Sequence, residues 1–213
     1  MPEGRRPGLR EAKKQATRQQ ISDEATRLFL EQGFERTTIA EIAAAAGVAA
    51  KTVTNYFPYK EDLAFDRQEE FVGSLAAAVA SRSNGETPLA ALRSAFDAAI
   101  QNQDPVLGFS GPDFARMIVE SSTLTAQLRR LHDQRELVLA EALAEAGGGD
   151  RAEIEVRTAA AMLSAVHRVL FHRIQELTLD GVSGDETARI VGAEAEQAFG
   201  MLEPVLGQVA VAP

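Results

Sequence analysis

Between Ala50 and Tyr56 the chain sets Lys51, Thr52, Thr54, Asn55 and Tyr56 around a single apolar residue, Val53. On a helix, Lys51, Thr54 and Asn55 can point away from Val53. Lysine donates to O6 and N7 of guanine, asparagine makes a two-point pair with adenine, and a threonine methyl packs on a thymine methyl. Thr52, Tyr56 and Lys60 suit phosphate oxygens, which fix register without reading sequence. Thr37 and Thr38 stand at a helix start, where free N–H groups and the helix dipole favour phosphate. Each has a plainer reading beside this one: Thr38 as a cap only, Tyr56 as core. Arg5, Arg6, Arg10, Lys13 and Lys14 form either an arm along DNA or a solvated tail.

Positioning such a segment requires a defined frame, and the flanking residues supply one. Ile21, Ala25, Leu28 and Phe29 form an apolar stripe on a first helix over about Lys13 to Gln32, stopped by Gly33. Thr38 with Glu41 fits a capping box that opens a second helix. Ile39, Ile42, Ala43 and Ala46 are its buried side. Gly47 takes the positive φ of a tight turn, the third helix follows from Ala50 to Tyr56, and Pro58 ends it. Two short helices joined by a tight turn make a helix-turn-helix, which sets its second helix in a major groove.

The charge supports this only when divided. The net charge of −9 opposes DNA binding, yet residues 1–60 hold 10 Lys/Arg against 7 Asp/Glu, a net of +3. The rest holds 12 against 24, a net of −12, and all four lysines lie in the first 60 residues. A basic head on an acidic body fits a chain in which only the head meets phosphate. Cysteine is absent, which removes disulfides, thiolate chemistry and Cys zinc sites. There is no Gly-rich loop with lysine and no paired histidine, so an enzyme is not expected, nor a cofactor. His167 and His172 are five apart and point about 140° from one another on a helix, which argues against a metal. No secretory signal or membrane-length apolar run is read, so the cytoplasm is the expected location.

The body reads as helices throughout. A long fourth helix is expected from about Lys60 to Arg82, and a fifth opens at Thr87-Pro88 with Leu89, Leu92, Phe96 and Ala99 on one face. A loop covers Asp104 to Pro112, and a short helix covers 113–121. A helix over 124–146 carries Leu124, Leu128, Leu131, Val138 and Ala142. Asp150 with Glu153 caps the next, to about Leu179, and Ser183 with Glu186 caps the last, to about Glu203-Pro204. The fold class is all-α, with about nine helices and no strand. The domain reading is an arm over 1–11, a DNA-binding domain over 12–59, and an effector-binding and dimerisation domain over 60–213.

The eighth helix has two apolar stripes. One is Val156, Ala160, Leu163, His167, Leu170, Ile174 and Leu177; the other is Ala159, Met162, Val166 and Val169. A helix with two stripes has two partners. The ninth repeats the rhythm through Val191, Ala195, Ala198, Leu202 and Val205. Helices over about 150–179 and 184–204 would then pair with their symmetry mates as a four-helix bundle. Candidate effector-lining residues are Phe96, Ile100, Phe109, Phe114, Met117, Ile118, Met162, Leu163, Val166 and His167, each with core packing as the alternative. His167 is a core histidine, a ligand contact or a dimer contact. Arg168 and Arg173 face either an anionic ligand or neighbouring carboxylates.

Residues 13–65 resemble the N-terminal domain of TetR-family transcriptional regulators. The matching stretches are ISDEATRLFLEQGF from Ile21, TTIAEIAAAAGV from Thr37 and KTVTNYFPYKEDL from Lys51. The resemblance implies an all-helical homodimer on a palindromic double-stranded DNA operator, usually a repressor, released by a small-molecule effector in the C-terminal domain. It also implies Lys51, Thr52, Thr54, Asn55, Tyr56 and Lys60 at DNA, with Thr38 at a phosphate. An activator or constitutive regulator without an effector is the alternative. Two departures stand out: Ala49 replaces a common serine, leaving the third helix without a side-chain cap, and Thr54 replaces a common aromatic. Phe114 to Ala146 is similar to regulators that bind acyl-coenzyme A-like ligands, which implies a largely apolar or acyl-type effector.

Overall fold

The computed structural model describes residues 8–147 and 152–206. Among these the chain forms ten α-helices, one 3-10 turn at Pro105–Leu107 and no strand. They are α1 (Leu9–Gln32), α2 (Ile39–Ala45), α3 (Ala50–Tyr56), α4 (Lys60–Ala64), α5 (Gln68–Ala80), α6 (Pro88–Gln101), α7 (Pro112–Glu120), α8 (Ser122–Ala146), α9 (Glu153–Leu179) and α10 (Gly184–Leu206). None is long and apolar enough to cross a membrane. The chain divides into two compact units. The first runs to Asp66 and takes back Met117–Leu124; the second holds Arg67–Arg116 and the residues from Thr125 on.

In the first unit, Ile21, Ala25 and Phe29 of α1 bury with Ile42, Ala43, Val53, Phe57 and Leu63. Gly33 closes α1 at φ 89°, and its N–H donates to the Phe29 carbonyl. The Thr38–Glu41 capping box is complete: the Glu41 N–H donates to Thr38 Oγ1 at 3.2 Å, and the Thr38 N–H donates to Glu41 at 2.8 Å. The Thr38 N–H, and next its hydroxyl, which also donates to Glu41 at 2.8 Å, hold the Glu41 carboxyl below its usual range. Gly47 takes φ 65° at the turn between α2 and α3. Ser121 donates to Glu35 at 2.7 Å, tying the returning segment to the loop after α1.

Three boundaries differ from expectation. The first helix starts at Leu9, so Arg10 is helical; Arg5 and Arg6 lie outside the described residues. The expected fourth helix is two, α4 and α5, parted at Phe65–Arg67. No glycine or proline marks that break. Instead the Asp66 carboxylate accepts from buried Ser22 at 2.6 Å, and its carbonyl accepts from Arg18 at 2.9 Å. The last helix continues through Pro204 to Leu206. The Asp150 cap lies outside the described residues, and Ala152 stands at the N-cap of α9.

The second unit packs α5, α6, α9 and α10 with the later turns of α8 around one apolar core. Thr87 caps α6 at Ala90 N–H, and Ser183 caps α10 at Glu186 N–H. On α8 the buried face is Leu124, Leu128, Leu131, His132, Arg135, Leu139 and Leu143, whereas Val138 and Ala142 are half-buried. The buried face runs from Leu131 through Arg135 to Leu139 and Leu143 at helical spacing, one residue beyond the expected Val138 and Ala142. Two ring clusters sit inside this unit. His167 lies edge-on between Phe96 and Phe199, at 5.7 and 5.4 Å between centroids. His132 lies edge-on between Phe71 and Phe171, at 5.0 and 5.2 Å.

Burial pushes the His132 imidazole down to about 3, with Arg135, His172 and Arg168 adding to the effect. Burial also drives His167 well below the ordinary range, again with Arg135 adding. Both rings are therefore neutral in the folded chain. On acidification the unfolded chain takes these protons first. Their contribution to stability is complete above about pH 6.5 and is lost as pH falls below it, toward about 3 for His132, by up to roughly 1.4 kcal/mol per pH unit for each histidine. Denaturant titrations between pH 7 and pH 5, above the main carboxylate range, should show this loss, and H132F and H167F should each flatten it. Unchanged stability across that window would refute the assignment.

Candidate functional site

The helix-turn-helix presents its polar side chains in two groups. Lys51, Thr54 and Asn55 are exposed on α3, opposite fully buried Val53. Thr54 donates back to the Lys51 carbonyl at 3.2 Å, which steadies its methyl. Thr52 and Tyr56 are half-buried, and Thr38 is exposed at the start of α2. Tyr56 faces α1 across a groove lined by Arg10, Glu11, Lys13, Lys14 and Thr17. Four of these six side chains, counting Tyr56, are cations or hydroxyls from α1. As expected, α3 has no side-chain cap at Ala49.

Two expected phosphate partners are turned inward. Thr37 is 1% exposed, and its hydroxyl donates to the Gly33 carbonyl at 2.9 Å. Its N–H also closes on Gly33. Capping α1 consumes both donors, so the residue is structural. Lys60 is half-buried, and its ammonium lies 4.3 Å from the Phe34 ring centroid. It donates to the carbonyls of Phe34, Glu35 and Thr37 at 2.9, 3.3 and 3.2 Å. Those carbonyls follow α1 and lack helical partners, so the lysine fastens the α1–α2 connection. Reading outward from spacing missed both, because their acceptors are distant along the chain or set by the turn.

The expected effector-lining residues fall in different settings. Phe96, Ile100 and Leu163 are buried among core side chains, and His167 is enclosed by two phenylalanines. Phe109, Phe114, Met162 and Val166 are half-buried. Met117 and Ile118 are buried and fall in the first unit, where α7 ends. Met162 lines an apolar groove with Leu143, Ile154, Val156, Val205 and Leu206. Of the expected arginines, Arg173 binds Glu194 of α10 and Glu176.

A polar group in the body went unread. Arg135 is 4% exposed, and its guanidinium stacks 4.6 Å from the Phe71 centroid. Buried Gln175 and Ser164 accompany it in the same unit. Its signal was present: Arg135 falls one turn after Leu131, inside the apolar stripe of α8. Among the described residues no three potential ligands gather to hold a metal ion.

Residues 21–66 match the family described as "Bacterial regulatory proteins, tetR family". The chain is 32% identical over 173 residues to the HTH-type transcriptional regulator TcmR of Streptomyces glaucescens, covering 77% of this chain and 75% of that protein. The chain belongs to the TetR family. TetR-family regulators bind DNA and control transcription, and this chain is one of them. The solved SmeT–triclosan complex has the same fold, with a TM-score of 0.56 and 21% identity over 86% of this chain and 91% of SmeT. So does FadR of Bacillus subtilis in complex with stearoyl-CoA, with a TM-score of 0.51 and 19% identity over 92% and 99%. At such identities these two establish the fold only.

The two inward residues generate a separable prediction. K60M removes three charge-assisted bonds at a half-exposed site and should lower the stability of the first unit by about 1–2 kcal/mol. T37V should cost about 1 kcal/mol by leaving buried carbonyls unanswered. Urea melts followed by circular dichroism measure both, and wild-type stability in K60M would show that the clamp has no structural weight.

Proposed function

We propose that this TetR-family chain is a homodimeric repressor that binds a palindromic operator and lets go when a small molecule enters its second unit. The observation that carries this reading is the exposed trio Lys51, Thr54 and Asn55 on α3. The trio is held in one orientation by buried Val53, the Gly47 turn and the Thr38 capping box. Lys51 and Asn55 read base edges and the Thr54 methyl reads thymine. Thr38, Thr52 and Tyr56 take phosphates, with Lys13 and Lys14 beside Tyr56 adding charge. The first unit is the reader, and the second binds the effector and the partner subunit.

Dimerisation is supported by an apolar strip that the single chain leaves exposed. On α9, Ile154, Met162, Val166 and Val169 recur at helical spacing, with Ile154 and Val169 largely exposed. On α10, Met201 and Val205 lie one turn apart, 78% and 61% exposed. Met162, Ile154 and Val205 share one groove, so the strip is continuous across both helices. A C2 pairing of this strip gives the two-reader geometry that a palindrome demands. An effector is supported by SmeT and FadR, proteins of this fold holding triclosan and stearoyl-CoA. Release is a population shift: the ligand binds best the state whose two readers mismatch the half-sites.

Gel-shift titration of the full chain on the intergenic DNA beside its own gene tests the reading. Wild type should form a saturable complex whose affinity falls with salt. K51A and N55A should each weaken it by about tenfold, equivalent to about 1.4 kcal/mol per lost base contact, without changing the melting temperature. Folded dimer that holds no such fragment at moderate salt would sink the proposal.

A further inference from the structure

We propose that Arg135 is the anion-receiving group of an interior ligand site in the second unit, and that the effector is a small organic acid with an apolar or flat body. This rests on the effector-released reading above and narrows its ligand class. Arg135 is buried, and one face of its guanidinium is covered by Phe71. Among the described residues it has no ion pair, and its Nε–H meets no acceptor. Burial lowers its pKa only to about 10, so the cation persists at neutral pH. A persistent buried cation with no carboxylate partner costs several kcal/mol, and chains rarely keep one without use.

Other buried polar groups of the second unit also stand unpaired. Ser164, His167, Phe171 and Gln175 recur at steps of three, four and four on a single face of α9. All four are buried, and Ser164 Oγ, both His167 nitrogens and Gln175 Nε2 lack partners. His132 Nε2, on α8 one turn before Arg135, is also unpaired. Hydroxyl, neutral imidazole and amide can each donate or accept, the guanidinium only donates, and no acid stands among them. The guanidinium therefore calls for an acceptor from the guest. Arg135 offers the planar edge that a carboxylate meets with two parallel bonds. Phe71 covers the guanidinium and packs edge-on with His132 and Phe171, which puts aromatic surface beside Arg135 for the guest's body. A neutral guest satisfies some of the donors but leaves the cation unanswered, which favours an anion.

The test uses the full chain in thermal-shift assays with matched pairs: benzoate, 1-naphthoate and decanoate against benzamide, 1-naphthamide and decanamide. At least one acid should raise Tm by about 5 °C once near a hundredfold above its dissociation constant, and its amide should not. R135M should weaken that acid by about thirtyfold or more, and R135K should retain part of the response. Because Met removes an unpaired buried charge, free R135M should melt no lower than wild type. Four results overturn the inference: equal response to acid and amide, an acid response kept in R135M, no response to any acid, or a much lower Tm for free R135M. The same probes are added to the operator complex. If an amide and no acid releases DNA, the repressor reading stands and the anion site falls. If acids stabilise through Arg135 but no DNA is held, the site stands and the repressor reading falls.

Discussion

A cation taken out of water must be answered by oxygen, and the two units meet that demand differently. Lys60 has three backbone carbonyls and the face of Phe34 around its ammonium. The carbonyls belong to the connection that sets where α2 begins. The orientation of α2, its turn at Gly47 and hence the outward face of α3 follow from that fastening. Lys51, Thr54 and Asn55 point to solvent, and this lysine turns inward.

Arg135 is the contrasting case. It has a ring on one face and no carboxylate. The histidines around it stay neutral partly because it is charged. The interior of the second unit is therefore electrostatically incomplete in a way the first is not. Apolar packing of α6, α9 and α10 supplies the stability that lets such a group persist.

Local chemistry was legible in the sequence, and distant chemistry was not. The Thr38–Glu41 box, the Gly33 and Gly47 conformations, and the Thr87 and Ser183 caps involve partners within a few residues. Each followed from residue type and spacing. The break between α4 and α5 has no local mark; Ser22 and Arg18 impose it from 44 and 48 residues away. Lys60 looked like a phosphate anchor because its acceptors lie 23 to 26 residues back. Thr37 looked exposed because a helix start usually is. Arg135 was passed over because a stripe is counted by its apolar members, and a charge within it reads as an interruption. The exposed trio on α3 was legible because Val53 alone fixes which way a seven-residue helix turns.

The segment Met117–Leu124 belongs to the first unit, with Ser121 donating to Glu35. Synthesis therefore runs out of step with assembly. When Asp66 leaves the ribosome, the reading helix and its turn already exist as sequence, but one piece of their unit has not been made. Some fifty residues of the second unit, Arg67–Arg116, must emerge first. The first unit is thus discontinuous in sequence. Any exchange that moves it intact must carry the later segment too.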